Sequence, residues 1–321
     1  MRMKPAPGRS LPAGFRFLRG VLRPVMMRWT DRHWSGTENL PSEGGYIVVA
    51  NHATNADPIS FGHFLVDNHV PVKILAKAEL FRVPVFGRLI TSAGMIPVER
   101  GTSHAIDSLR YAKEALARGE VIGIFPEGTL THDPDGWPMR AKTGAARLAL
   151  ESGVPVIPIA QWGMHRIMPR HTGKIISFRR QRVDVMAGPA VDLSDLQGQE
   201  ISGSVLREAT DRIMAEIRRM LGEIRGETPP EHVWNIAVDG NMKAAIKAQS
   251  ARVPRDRKGE RVLTGVLARL GLKKEQLESA DTPEADDGEA PAAPGTSAAP
   301  GNPATPAGPS QGAGEPDGSE T

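Results

Sequence analysis

The chain has 321 residues, a net charge of +3 and no cysteine, which excludes disulfides, thiolate metal sites and cysteine nucleophiles and suits a reducing compartment. From Asp281 onward it is mostly Pro, Ala, Gly, Ser and Thr with eight acidic residues and no Lys or Arg, which leaves +11 on residues 1–280. That tail has no large apolar residue to offset the entropy of ordering it, so disorder is expected there. A basic body suits nucleic acid, anionic lipid or phosphorylated substrates. With two Tyr and no RNP-like aromatics, zinc module or helix-turn-helix signal, nucleic acid is not expected as a partner.

No apolar stretch follows the basic N-terminus, so no signal peptide is expected. Residues 11–29, LPAGFRFLRGVLRPVMMRW, set Phe15, Leu18, Leu22, Val25, Met26 and Trp29 among Arg16, Arg19, Arg23 and Arg28. The arginines interrupt any apolar run of about 18 residues, which argues against a membrane-spanning helix. The spacing predicts an amphipathic helix lying on anionic lipid, with a helix packed on the protein's own core as the alternative. Pro24 should kink or divide it.

The middle of the chain alternates between two periods. Strands are expected at Tyr46–Ala50, Val72–Ala76, Met95–Val98, Val121–Phe125, Val156–Ala160 and Val183–Ala187, with helices near 58–67, 103–118 and 141–152. An α/β fold follows, with a mixed, mostly parallel sheet flanked by helices. Leu206, Ile213, Ile217, Met220 and Ile224 mark a further amphipathic helix, and shorter helices are expected near 231–250 and 261–270. The basic segment ARVPRDRKGER between those two reads as a solvated linker or as a lipid-contacting patch.

Chemistry concentrates where strands end. GYIVVA runs into NHATNADP, placing Asn51, His52 and Asp57 after a buried strand, with Pro58 opening the next helix. A carboxylate five positions from a histidine across such a turn can hold one ring nitrogen while the other takes a proton from an alcohol. No Ser or Cys stands close by in the motif, so direct attack by a substrate hydroxyl is expected rather than a covalent enzyme intermediate. The bland alternative is a helix start capped by Asp57 with His52 in a loop. His52, His63 and His69 do not have zinc-motif spacing, and no metal site is expected. Downstream, GMIPVERG brings a strand to Arg100, and GIFPEGTL brings another to Glu127, Gly128 and Thr129. Arg offers a fork of donors to phosphate, and Gly lets backbone amides approach a ligand closely.

Taken in order, NHATNAD, GMIPVER, FPEGT and VPVIPIA resemble the four motifs of the PlsC-type glycerolipid acyltransferases, the lysophosphatidic acid acyltransferase family, over about residues 35–225. The resemblance implies His52 as catalytic base and Asp57 as its partner, with Asn51 supporting the turn. It implies Arg100, Glu127, Gly128 and Thr129 at the acceptor's glycerol phosphate, with Lys77 also reaching the phosphate. VPVIPIA would form a strand beside the site. It further implies transfer of an acyl group from acyl-CoA, or from acyl carrier protein, to a lysophospholipid acceptor in phospholipid synthesis. It implies acyl-CoA as co-substrate and no cofactor. Leu130 stands where many members carry Arg, which leaves the headgroup open, with Arg140 or Lys142 as replacement cations. Glycerol 3-phosphate, another lysolipid acceptor and a non-catalytic lipid-binding scaffold are the alternatives.

The expected organisation is a membrane-interface helical segment over 1–34, an acyltransferase domain over 35–225, a helical extension over 226–280 and a disordered tail over 281–321. An anionic membrane surface is the expected partner, with the protein peripheral on the cytoplasmic face of the cell membrane.

Overall fold

Every residue of Tyr46–Ala50 and of Val121–Ile124 is buried, as strands covered on both faces require. The computed structural model describes residues 13–99, 104–177 and 179–252. Arg100, the expected helix near 261–270, most of the basic segment and the acidic tail lie outside the described residues.

In chain order the elements are α1 (Ala13–Trp29), β1 (Thr30–Ser35), β2 (Tyr46–Ala50), α2 (Asp57–Asp67), β3 (Val72–Lys77), α3 (Ala78–Arg82), α4 (Phe86–Ser92), β4 (Ile96–Val98) and α5 (His104–Ala117). They continue as β5 (Val121–Ile124), α6 (Gly144–Ser152), β6 (Val156–Trp162), β7 (Gln181–Ala187), α7 (Gly203–Arg225), α8 (Ile236–Asp239) and α9 (Lys243–Ala251). One seven-stranded sheet has the order β1-β7-β6-β2-β5-β3-β4. All neighbours are parallel except β6 and β7, so the sheet is mixed and mostly parallel, as the alternating pattern implies.

Alternation along β2 divides the core. Tyr46, Val48 and Ala50 face one layer with Phe61 and Phe64 of α2. Ile47 and Val49 face the other, with Ala112 of α5, Leu148 of α6 and Ile213 of α7. Helix α7 starts at Ser202, whose hydroxyl accepts from the Val205 amide, and ends at Gly226 in the left-handed conformation. Its buried stripe of Leu206, Ile213, Ile217 and Met220 follows the helical period.

β1 was not among the expected strands. Its sequence, TDRHWS, has no apolar run and only Thr30 is fully buried, because it forms the sheet's edge on β7. It is held by packing and charge from one side. Trp34 meets Phe64 edge-on at 5.4 Å, and Asp67 at the end of α2 accepts from Arg32 of β1 and Arg23 of α1, each at 2.8 Å.

The core-packing alternative for residues 11–29 describes one face of α1. Met26 and Trp29 are buried in the core, while Phe17 (53% exposed) and Met27 (38%) face outward with Arg16 and Arg28. Pro24 lies inside the helix, which continues through it. No described helix is long and apolar enough to cross a membrane.

Gly123 sits in β5 beneath α2, where an added Cβ would come within 2.9 Å of Phe61 Cε1 and 2.9 Å of Val72 Cγ2. Gly123→Ala is therefore expected to overpack this layer and lower stability by about 1–3 kcal/mol. A urea titration should show a lower midpoint with an unchanged slope, and an unaltered midpoint would contradict this packing.

Candidate active site

Strands β2, β3, β4, β5 and β6 all run the same way, so their C-terminal ends share one edge of the sheet, where ligands of open α/β sheets bind. Because β7 is antiparallel to β6 and β1 is parallel to β7, the junction of α1 with β1 lies on that same edge.

β2 delivers Asn51 and His52. Pairing of β2 with β6 stops at Ala50 and Ile159, and from there side chains replace the ladder. Asn51, 1% exposed, donates from Nδ2 to the Gln161 carbonyl at 3.0 Å and accepts from the Gln161 amide at 2.9 Å. Gln161 Nε2 donates back to the Asn51 carbonyl at 3.1 Å, and its Oε1 accepts from Ser60 at 2.6 Å. Both polar atoms of Asn51 are thus occupied by the protein. The network ties the residue before His52 to the first turn of α2.

Asp57 closes the loop between. Its Oδ2 accepts from the Ala53 amide at 2.6 Å and the Thr54 amide at 2.7 Å, and lies 3.5 Å from His52 Nδ1. That separation is long for a hydrogen bond, within what catalytic contacts show before substrate arrives. Asp57 does not cap α2, whose N-cap is Ala56 without a side-chain bond; its carboxylate turns back to the loop amides, which fix it facing the ring. The imidazole, 16% exposed, lies against Phe125 with ring centroids 4.4 Å apart.

The peptide of His52 is clasped from β5. Its N–H donates to Glu127 Oε1 at 2.9 Å, and its carbonyl accepts from the Thr131 amide at 2.7 Å. Glu127 Oε2 accepts from the Met139 amide at 3.0 Å, so each oxygen of this buried carboxyl meets one backbone donor. Gly128, at φ +73°, makes the turn that this clasp requires. Thr129 is half-buried on the turn, and Leu130 points into the core. Lys77 ends β3 on the same edge, with Nζ 3.8 Å from Glu79 Oε2.

The structure thus brings His52, Asp57, Asn51, Glu127, Gly128 and Thr129 together and sets Lys77 on the same edge. His63 lies apart, on α2, packed edge-on against Trp34 at 5.1 Å. Burial holds His63 down to about 4, against the pull of Asp67, which keeps it neutral near pH 7. Among the described residues no cluster of three or more His, Asp or Glu could hold a metal ion. The sequence did not mark Gln161, Ser60, Thr131 or the Met139 amide. A polar residue directly after the buried run VPVIPIA was the one signal available.

Residues 31–162 match the family model described as Acyltransferase, a span that contains all four motifs. A chloroplastic 1-acyl-sn-glycerol-3-phosphate acyltransferase of Brassica napus is 32% identical over 150 residues, covering 46% of this chain and 42% of that protein. The 1-acyl-sn-glycerol-3-phosphate acyltransferase of Streptococcus pneumoniae is 27% identical over 228 residues, covering 68% of this chain and 79% of that protein. The chain thus spans about two fifths of the plant relative and about four fifths of the bacterial one. The crystal structure of the 1-acyl-sn-glycerophosphate (LPA) acyltransferase PlsC from Thermotoga maritima shares the fold, with a TM-score of 0.52, 24% identity and coverage of 66% of this chain and 80% of that one.

The NHxxxxD turn on the sheet's C-terminal edge and the FPEGT turn that clasps it both lie inside the span matched by the Acyltransferase model. Residues 31–162 carry an acyltransferase domain, similar in sequence to those of 1-acyl-sn-glycerol-3-phosphate acyltransferases.

Burial pushes the Glu127 carboxyl up to about 8, against the pull of the Met139 and His52 amides. Its folded value lies above the ordinary 4.5, so its contribution to stability is complete below about 4.5 and is lost as pH rises through about 8. Urea midpoints of the wild type should carry this loss from about pH 5 to about pH 8, and Glu127→Gln should flatten it. Identical pH slopes in the two proteins would remove Glu127 as its source.

Proposed function

We propose that the protein transfers a fatty acyl group from acyl-CoA or acyl carrier protein to the free hydroxyl of lysophosphatidic acid, forming phosphatidic acid. The observation that carries this reading is the His52 imidazole at the end of β2, with Nδ1 facing an Asp57 carboxylate that two amides already hold. With Nδ1 carrying its proton toward Asp57, Nε2 is the basic atom. It takes the acceptor hydroxyl's proton as that oxygen attacks the thioester carbon. The tetrahedral intermediate then collapses, the carbon–sulfur bond breaks, and the proton passes to the departing thiolate. A thioester is already activated, so one positioned base with oriented substrates accounts for the chemistry. In this reading Arg100 and Lys77, with the Gly128 and Thr129 turn, hold the acceptor's phosphate, and Glu127 acts through His52 by holding its peptide.

The acceptor is a membrane lipid, and α1 supplies the means of reaching it. Arg16, Phe17, Met27 and Arg28 face outward from a helix that joins the sheet at the site's own edge. This supports peripheral attachment to an anionic surface, assigned here to the cytoplasmic face of the membrane.

His52→Ala should lower turnover by about 10²- to 10⁴-fold without unfolding the protein, and Asp57→Asn by less, because the amide oxygen still accepts from Ala53 and Thr54. Thiol release from acyl-CoA in the presence of lysophosphatidic acid measures both. Near-normal turnover by folded His52→Ala would refute the mechanism.

Attachment is better tested by substitution than by deleting α1, since Met26 and Trp29 belong to the core. Phe17→Glu combined with Arg16→Glu should weaken sedimentation with anionic vesicles, and raised salt should weaken that of the wild type. Equal sedimentation of variant and wild type at low salt would move the membrane contact off this helix.

A further inference from the structure

We propose that Lys142 is a specificity-determining residue that contacts the acceptor's phosphomonoester beside His52. The proposal rests on the acyl-transfer reading and adds a residue to it. The segment after the FPEGT turn doubles back along the end of β5. Met139 gives its amide to Glu127, and Lys142 gives its own to the Pro126 carbonyl at 2.9 Å. This lays the lysine's aliphatic stem across the face of Gly128, where an added Cβ would stand 3.3 Å from Lys142 Cε, 3.4 Å from Cδ and 3.9 Å from Nζ.

Gly128 belongs to the same turn that clasps the His52 peptide, through Glu127 on one side and Thr131 on the other. The Lys142 ammonium is therefore carried at the catalytic edge by a backbone-anchored stem. It is exposed, and no ion pair among the described residues engages it. Other cations nearby are placed differently. Lys77 has Glu79 beside it, while the Arg140 amide turns the other way, to the Trp234 carbonyl. Leu130, two residues after Gly128, is buried and brings no charge to the turn. An exposed, uncompensated ammonium over the turn that clasps the His52 peptide favours an anionic group on the substrate that the base deprotonates. Of the two substrates, that is the acceptor.

Steady-state kinetics with acyl-CoA and lysophosphatidic acid test this, with Lys142→Ala and Lys142→Arg compared to wild type. Lys142→Ala should raise the acceptor KM by about 10-fold and leave the acyl-CoA KM unchanged, with Lys142→Arg within about threefold of wild type. No change in the acceptor KM, or an equal rise in both, overturns the assignment. Glycerol 3-phosphate binding followed by ligand-observed NMR runs beside the kinetics and does not depend on turnover. If the wild type transfers no acyl group, the acyltransferase reading falls and the binding arm decides. Loss of binding in Lys142→Ala supports the anion contact, and unchanged binding refutes it.

Discussion

The grip of Glu127 on two backbone amides is the contact on which the rest of the site depends. A carboxyl this deeply buried is costly unless each oxygen finds a donor, and here the donors are the peptides of His52 and Met139. One belongs to the turn after β2, the other to the segment returning from the turn after β5. A single side chain therefore fixes the distance between two strand ends. Asp57 then needs only to close the short loop from Ala53, and the ring of His52 is left between that carboxylate and Phe125.

That grip has its own support further along the chain. The loop that delivers Met139 is held by the buried Arg170 guanidinium, which donates to the carbonyls of Asp133 and Pro134. It is held again by Arg225 at the end of α7, whose guanidinium lies 4.2 Å from the Trp137 ring and 4.5 Å from Trp162 and donates to the Asp135 carbonyl at 3.0 Å. Helix α7 thus does more than cover one face of the sheet. Its last turn stiffens the loop that presents an amide to Glu127.

How much of this was legible in sequence depends on the range of the interaction. β2 and β5 announce themselves because each is a short run of buried residues, and the residues that follow them carry the motifs. β1 does not, since an edge strand with polar residues looks like loop until its partner is known. Helices α3 and α4 were also missed: they are five and seven residues long and are separated by Pro84 and by Val85 at φ +66°. Within the site, His52 and Asp57 lie five residues apart and could be paired from spacing. The pairing of Asn51 with Gln161 spans 110 residues and could not. Glu127 was readable as a site residue by resemblance, yet its two amide partners appear only once β2 and β5 lie side by side.

The edge position of β1 carries a consequence for the order in which the molecule is built. The first strand of the chain finds its sheet partner in β7, with Arg180 reaching Thr30 across 150 residues of sequence. At about 5–20 residues per second on the ribosome, α1 and β1 emerge roughly eight to thirty seconds before β7 exists to receive them. For that interval β1 has no sheet neighbour, although α1 already has α2 to pack against and Asp67 to pair with Arg23. Among the described residues, β1 is thus the first strand to be made and among the last to be paired.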